Sequence, residues 1–371
     1  MLIHQLFIKS VILLILTGLN PGEITSSKPT REQIDTIKIG LLIPDNKSFA
    51  ARQGAELAIH IANEKNGPKG KHFSLVVKSL EGPWGTGSKQ AVSLIFDDKV
   101  CAILGSHDGR NAHLVEQACT KSRIVFLSAW SGDPSLSKAF VPWFFNCVPD
   151  YNQQADAFVQ EIYLKRKLGK IAVVSDNNYD ASLALESFIK KSEISGKPAP
   201  LKLSVNSASD NIITITDQIR KTDIEALILF GDTKTCGQLL NKLKNAKIDI
   251  PVFGSLTIID EQVFSEKDFD NVIFISPGQF TGSKAIPFKK DYQKAFGNQP
   301  GAVASMSFDG MNLLIDAISA AGTDRENIQK ALLNMNYEGV TGSIKFDDKG
   351  KRKGTPGLMQ IKNGIQVAVT R

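Results

Sequence analysis

Short apolar runs alternate with amphipathic stretches along most of the chain. Residues 37–44 (IKIGLLIP) are apolar after Lys38, the pattern of a strand covered on both faces. Ala51, Ala55, Ala58 and Ala62 then recur at helical spacing, and Asn66-Gly67 offers a stop. Further strands are predicted at 73–80, 100–104, 124–128 and 143–148, with a helix at 89–96 and another ending at Cys119. Near Asp150 the pattern restarts with a helix at 153–163, a strand at 170–175 and a helix at 181–191. Strands at 201–205, 226–230, 252–254 and 272–275 follow, with helices at 212–220 and 237–245 between them. A long helix at 308–321, a shorter one at 328–333 and a hairpin-like close complete the series. Strands and helices alternating in this way imply βαβ units on parallel sheets, and the restart implies two doubly wound, Rossmann-like α/β lobes. No internal repeat is evident in the residues themselves.

Composition agrees with a globular chain. Of 371 residues, 42% are hydrophobic and 22% charged, which excludes disordered, collagen-like and coiled-coil classes. The net charge of +6 comes from basic residues spread along the sequence. Their densest group, Lys349, Lys351, Arg352 and Lys353, surrounds Gly350 and reads as an exposed turn. Without a basic stripe interleaved with aromatics, no nucleic-acid partner is expected. At the N-terminus, Lys9 precedes an apolar run from Val11 to Leu16, extended by Leu6, Phe7, Ile8 and Leu19 and followed by breaker-rich sequence. This predicts a signal peptide over residues 1–26 and a periplasmic or otherwise extracytoplasmic location. The run is shorter than the ~20 residues of a spanning helix. It has no A-x-A cleavage pattern, and a retained, membrane-associated N-terminus is the alternative. Four cysteines, Cys101, Cys119, Cys147 and Cys236, are too few for a disulfide scaffold. Cys101 and Cys119 fall at one pole of a strand–loop–helix unit, so a bridge and two free thiols are both open.

Candidate chemistry is sparse. The segment 82–89 (GPWGTGSK) follows a strand and precedes a helix, but Ser88 comes before Lys89, the reverse of a phosphate-binding P-loop. Ser106, His107 and Asp108 are the residue types of a hydrolase triad, yet they are contiguous, whereas a triad converges from separated positions. His107, His113 and Cys119 match no zinc spacing. No enzyme activity, metal or cofactor is therefore expected. The informative residues lie where loops leave strands, since ligands of open α/β sheets sit beyond the carboxyl ends. Those ends carry Trp84, 105–110 (GSHDGR) and 128–133 (SAWSGD), then 177–180 (NNYD), 231–235 (GDTKT) and 254–257 (GSLT).

Taken in order, several segments resemble the branched-chain amino-acid (leucine/isoleucine/valine) binding family, the type I periplasmic solute-binding proteins of ABC importers. They are the opening strand and helix through Ile61-Ala62-Asn63, SKQAVSLIFDDKVCAILG (88–105) and IVFLSAWSGDPSLS (124–137). FNCVPDYNQQADAF (145–158), KIAVVSDNNYDASLA (170–184) and GVTGSIKFDDKGKRKG (339–354) complete the set. The resemblance implies the periplasmic binding protein type I fold, with two lobes joined by a three-segment hinge at crossovers near Asp150, Pro277 and Tyr337. Lobe 1 is expected to comprise 36–149 plus 278–336, and lobe 2 150–277 plus 337–371. It further implies a monomeric receptor that captures a small ligand, an amino acid or related small polar or aromatic metabolite, and delivers it to the membrane permease of an ABC importer. A sensor or accessory subunit of the same fold is the alternative.

Family positions that hold the ligand carboxylate through Ser and Thr hydroxyls fall at Gly109 and Gly132, which offer only backbone N–H groups. The acid that pairs the ligand ammonium falls at Leu256, a lobe-two aromatic at Tyr179, and another usually aromatic position at Asp232. A one-residue slip would bring Asp108 or Ser131 into the pocket. The expected ligand-binding set is thus Trp84, Ser106, Asp108, Gly109, Trp130, Ser131, Gly132, Tyr179, Asp232 and Leu256. A pocket so altered argues against a branched-chain amino acid as the ligand, because an unpaired buried charge is costly.

Overall fold

A computed structural model describes residues 36–369, apart from residues 66, 84, 106–108, 139–140, 259–267, 277–282 and 364. The predicted signal peptide lies outside the described residues. No described helix is long and apolar enough to cross a membrane.

The first half builds one parallel sheet. β1 (Thr36–Ile43), α1 (Phe49–Glu64), β2 (His72–Ser79), α2 (Thr86–Phe96), β3 (Ala102–Gly105), α3 (Gly109–Lys121), β4 (Val125–Ser128) and β5 (Phe144–Asn146) follow in turn. The strand order is β2-β1-β3-β4-β5. Side chains alternate between its faces, as the pleat requires. Leu41, Leu104 and Leu127 point to one core, while Leu42, Ile103 and Phe126 join a second core under α2 and α3. Because both faces are covered, the strands read as continuous apolar runs.

The second sheet repeats that order. α4 (Tyr151–Phe158) begins at a capping box of Asp150 and Gln153 and continues into a π-helical stretch, Val159–Lys165. β6 (Ile171–Ser175), α5 (Tyr179–Ile194), β7 (Leu201–Ser204), α6 (Ser209–Lys221), β8 (Ala226–Phe230), α7 (Thr233–Asn245), β9 (Val252–Gly254) and β10 (Ile273–Ser276) come next. α8 (Ala285–Phe296), α9 (Ala302–Ala321), α10 (Arg325–Leu333), β11 (Asn336–Gly339), β12 (Gly342–Lys345), β13 (Gly357–Lys362) and β14 (Ile365–Ala368) end the chain. The sheet runs β14-β13-β10-β9-β8-β6-β7, so its parallel part has the first sheet's topology, and an antiparallel β13–β14 hairpin extends the far edge. Its core is aromatic: the Phe158 ring lies 6.4, 6.1 and 6.3 Å from those of Phe188, Phe230 and Phe253. The repeat is one of topology, which explains why the residues alone do not reveal it.

After β10 the chain returns to the first sheet. Leu313, Leu314, Ala317 and Ile318 of α9 pack with Ala51, Ala55 and Ala58 of α1, and the Ser307 hydroxyl donates to the Ala51 carbonyl at 2.6 Å. α8 is not foreshadowed by the pattern above, because Pro287 reads as a breaker. It stands in the first helical turn, where a missing N–H forfeits no helix bond. Tyr337, Ile344 and Phe346 sit in the first sheet's core, and the Asn146 N–H donates to the Gly350 carbonyl at 2.8 Å. β11 and β12 form a separate two-stranded sheet packed on the first sheet's core, and the chain joins the second sheet at β13. Asp309 of α9 holds this hairpin in place. Its carboxylate accepts from the Val340 N–H (2.9 Å), the Thr341 N–H (2.6 Å) and the Tyr337 hydroxyl (3.2 Å). Arg352 donates to the carbonyls of Cys147, Thr341 and Ser343 at 2.8–3.0 Å. All four cysteines are free thiols, and Cys101 donates to the Lys38 carbonyl instead of pairing with Cys119.

Candidate functional site

An open sheet of this strand order leaves a crevice at its carboxyl edge, where the loops after its first and third parallel strands diverge. In the first sheet the loop after β3 leads into α3 at Gly109. In the second, the loops after β6 and β8 lead to Tyr179 and Asp232. Trp84, Ser106 and Asp108 lie outside the described residues.

The two edges meet. The Gly109 N–H, the first of α3, points at the Asp180 carboxylate, 3.3 Å from each oxygen. The Tyr151 hydroxyl donates to the same carboxylate at 2.8 Å. In the other direction the Tyr179 hydroxyl donates to Asp133 at 3.0 Å, while the Arg110 guanidinium lies over the Tyr179 ring, 5.3 Å from its centre. A side chain at either glycine would collide with this packing. A Cβ on Gly109 would lie 2.8 Å from that of Asp133, and one on Gly132 would lie 2.8 Å from the Tyr151 ring. Trp130 is partly buried and packs against the second sheet's core.

The remaining expected residues make contacts within the protein. Ser131 is buried; its hydroxyl accepts from the Asp133 N–H and its carbonyl from the Asn146 amide. Asp232 is exposed, caps α7 by accepting from the Thr235 N–H at 2.9 Å, and donates its own N–H to Asp176. Leu256 packs in the second sheet's core, and its N–H donates to the Gln154 side chain at 3.3 Å.

Asp133, fully buried, is the centre of charge. It accepts from the Ser135 N–H at 2.8 Å, the Ser135 hydroxyl at 2.5 Å and His113 Nε2 at 3.0 Å. Burial by itself would raise its pKa, but the His113 and Ser135 hydrogen bonds outweigh this and lower it. His113 is pushed up to about 9 by its bonds to Asp133 and Glu116, so it is an imidazolium at neutral pH. Burial, followed by the Asp133 charge, pushes the Tyr179 phenol up to about 12. Ser135, His113 and Glu116 line up like the members of a hydrolase triad, with 3.0 Å from Ser135 Oγ to His113 Nε2 and 3.6 Å from Nδ1 to Glu116. An imidazolium cannot take a serine proton, so this cluster is built to hold charge in place.

Asp133, Tyr151 and Asp180 complete the junction beyond the expected set. Their only signal in the sequence is their place in the loops and helix starts that follow strands. Among the described residues no group of three or more His, Cys, Asp or Glu is placed to hold a metal ion. A cavity of about 940 Å³ opens elsewhere, between α4 and the C-terminal strands, lined by residues including Gln153, Glu161, Lys165, Arg352 and Met359. None of the expected ligand residues lines it.

Two sheets of one topology, joined at their loop-bearing edges, define a two-lobed solute-binding protein of type I architecture. The chain belongs to the periplasmic binding protein family, whose model matches residues 36–364. A leucine-, isoleucine-, valine-, threonine- and alanine-binding protein of Pseudomonas aeruginosa is 22% identical over 336 residues, spanning 86% of this chain and 88% of that protein. The branched-chain amino acid transporter substrate binding protein LivJ of Streptococcus pneumoniae, solved with isoleucine, is 21% identical with a TM-score of 0.80, covering 90% of this chain and 99% of that one. An ABC transporter solute binding protein of R. palustris, solved with benzoate, is 16% identical with a TM-score of 0.79, covering 90% and 95%. At these identities the structural likeness is one of fold.

Proposed function

We propose that this chain is an exported receptor that captures a small polar solute between its lobes and delivers it, as a monomer, to the permease of an ABC importer. The observation that carries this reading is the pair of cross-lobe bonds, Tyr179 to Asp133 and Gly109 to Asp180, made by loops at the carboxyl ends of both sheets. Loops so placed on two hinged bodies can close on a solute and present a changed surface to a membrane partner. Export through residues 1–26 accords with the family. Lobe 1 is assigned to 36–149 with 278–336, and lobe 2 to 150–277 with the rest of the chain. The packing of Tyr337, Ile344 and Phe346 favours placing 337–352 with lobe 1. Trp84, Trp130 and Tyr179 are proposed as ligand walls, and Ser106, Asp108, Ser131, Gly109 and Gly132 as donors or acceptors. Asp232 and Leu256, on the second lobe, complete the proposed ligand-binding set. Amino acids and aromatic acids, the solutes named for its relatives, belong in the first screen.

A thermal-shift screen of amino acids, amides, amines, sugars and small carboxylates tests the reading. A ligand at 100 times its Kd adds about 2.7 kcal/mol to stability. The response is expected to vanish in Trp130→Ala and to survive changes on distant surfaces. A positive solute that binds equally well to Trp130→Ala would move the site elsewhere.

A further inference from the structure

We propose that Asp180 is the specificity-determining residue of the interlobe site, because its carboxylate takes the donors that a ligand carboxylate needs, so the receptor selects solutes without one. This rests on the receptor reading above and narrows its ligand class. Isoleucine and benzoate, the solutes seen with the two structural relatives, share a carboxylate. Such a group is held by N–H groups at the positive end of a helix and by hydroxyls. Here the first N–H of α3 and the Tyr151 hydroxyl are two such donors at the junction, and both point to Asp180. Asp180 belongs to the first turn of α5, on the lobe opposite Gly109, so it reaches that N–H as the lobes meet, while Tyr151, on its own lobe, holds it in position.

The surroundings reinforce the exclusion. Asp133 stands beside Gly109 with its oxygens already engaged by His113, Ser135 and Tyr179. A ligand carboxylate entering here would face two acids and lose its helix donor, and like charges at close range disfavour one another's ionised form. His113 offers no relief, since both ring nitrogens face carboxylates of the protein. Arg110 is placed over the Tyr179 ring. A neutral solute meets none of these penalties. Asp180 thus acts as an internal substitute for the missing ligand group.

The test is isothermal titration of the wild type, Asp180→Ala and Asp180→Asn with leucine, isoleucine and benzoate. Asp180→Ala is expected to bind at least one of the three at least tenfold more tightly than the wild type. Asp180→Asn, which keeps the side-chain volume and removes the charge, controls for folding and is expected to show a gain of the same sign. The proposal is overturned if the wild type binds any of the three as tightly as Asp180→Ala, or if both folded variants bind none of them. The receptor reading is judged separately: it stands if the wild type responds to any neutral or cationic solute of the screen, whatever Asp180 does.

Discussion

Two carboxylates without exposed surface, Asp133 between the lobes and the more deeply buried Asp309 behind the first sheet, shift in opposite directions. Both are fully buried, and both accept a tyrosine hydroxyl together with backbone N–H groups. Yet the pKa of Asp133 is lowered and that of Asp309 is raised. Asp133 is touched by an imidazolium, whose charge and N–H favour the ionised carboxylate. Asp309 accepts from the neutral Val340 and Thr341 N–H groups and the Tyr337 hydroxyl, and burial prevails over these bonds and the nearby Arg352 charge. The kind of donor and the depth of burial together set the direction of the shift. The consequence is a division of labour. Asp309 ties the β11–β12 hairpin to α9 within one lobe, whereas Asp133 joins two lobes through a cluster that titrates.

The contrast can be broken most forcefully at Asp309. Asp309→Ala leaves two buried N–H groups and a phenol without an acceptor, and is expected to lose about 3–5 kcal/mol in urea unfolding. A loss below about 1 kcal/mol would show that the hairpin is held by packing alone. Gly132→Ala comes next. Its new methyl presses on the Tyr151 ring and should cost about 1–3 kcal/mol, with the greater part visible as a lower unfolding midpoint.

A pH series sharpens the comparison. His113 has a folded pKa of about 9 against an ordinary 6.5, so its contribution is full below pH 6.5 and is lost as the pH rises through 9. Discounted for an imidazole that is one-third exposed, the loss is about 1–2 kcal/mol. It should be absent from His113→Gln, while Asp309→Ala retains it. Tyr179→Phe, which removes one hydrogen bond to Asp133, has the smallest expected effect, about 1 kcal/mol. An effect as large as that of Asp309→Ala would mean that the lobes close mainly through this single bond.

Much of the fold is legible in the residues. β9 spans the predicted 252–254, and β8 the predicted 226–230, because an apolar run bounded by polar turns has few other uses in a parallel sheet. The alanine spacing of α1 likewise announces a face pressed against another helix. α8 escapes because its apolar contacts, Ala285, Phe288 and Tyr292, are separated by lysines and a proline. The site is legible only as a set of loops. Tyr179 and Gly109 stand out by position, while Asp232 also caps a helix and Leu256 also packs in the core. Neither use can be told from binding by residue type.

The sequence by itself determined two apolar series of strands, each with helices to cover both faces, and hence two lobes of one kind. It also determined that acids, tyrosines and glycines would gather at the strand ends. Only the tertiary structure decided which of them meet. Gly109 and Asp180 are 71 residues apart, and Tyr179 and Asp133 are 46 apart. Periodicity reports which side of an element faces the core, and that is a local property. A hydrogen bond between loops of different sheets depends on how both sheets twist and where the chain crosses between them, and no local pattern carries that.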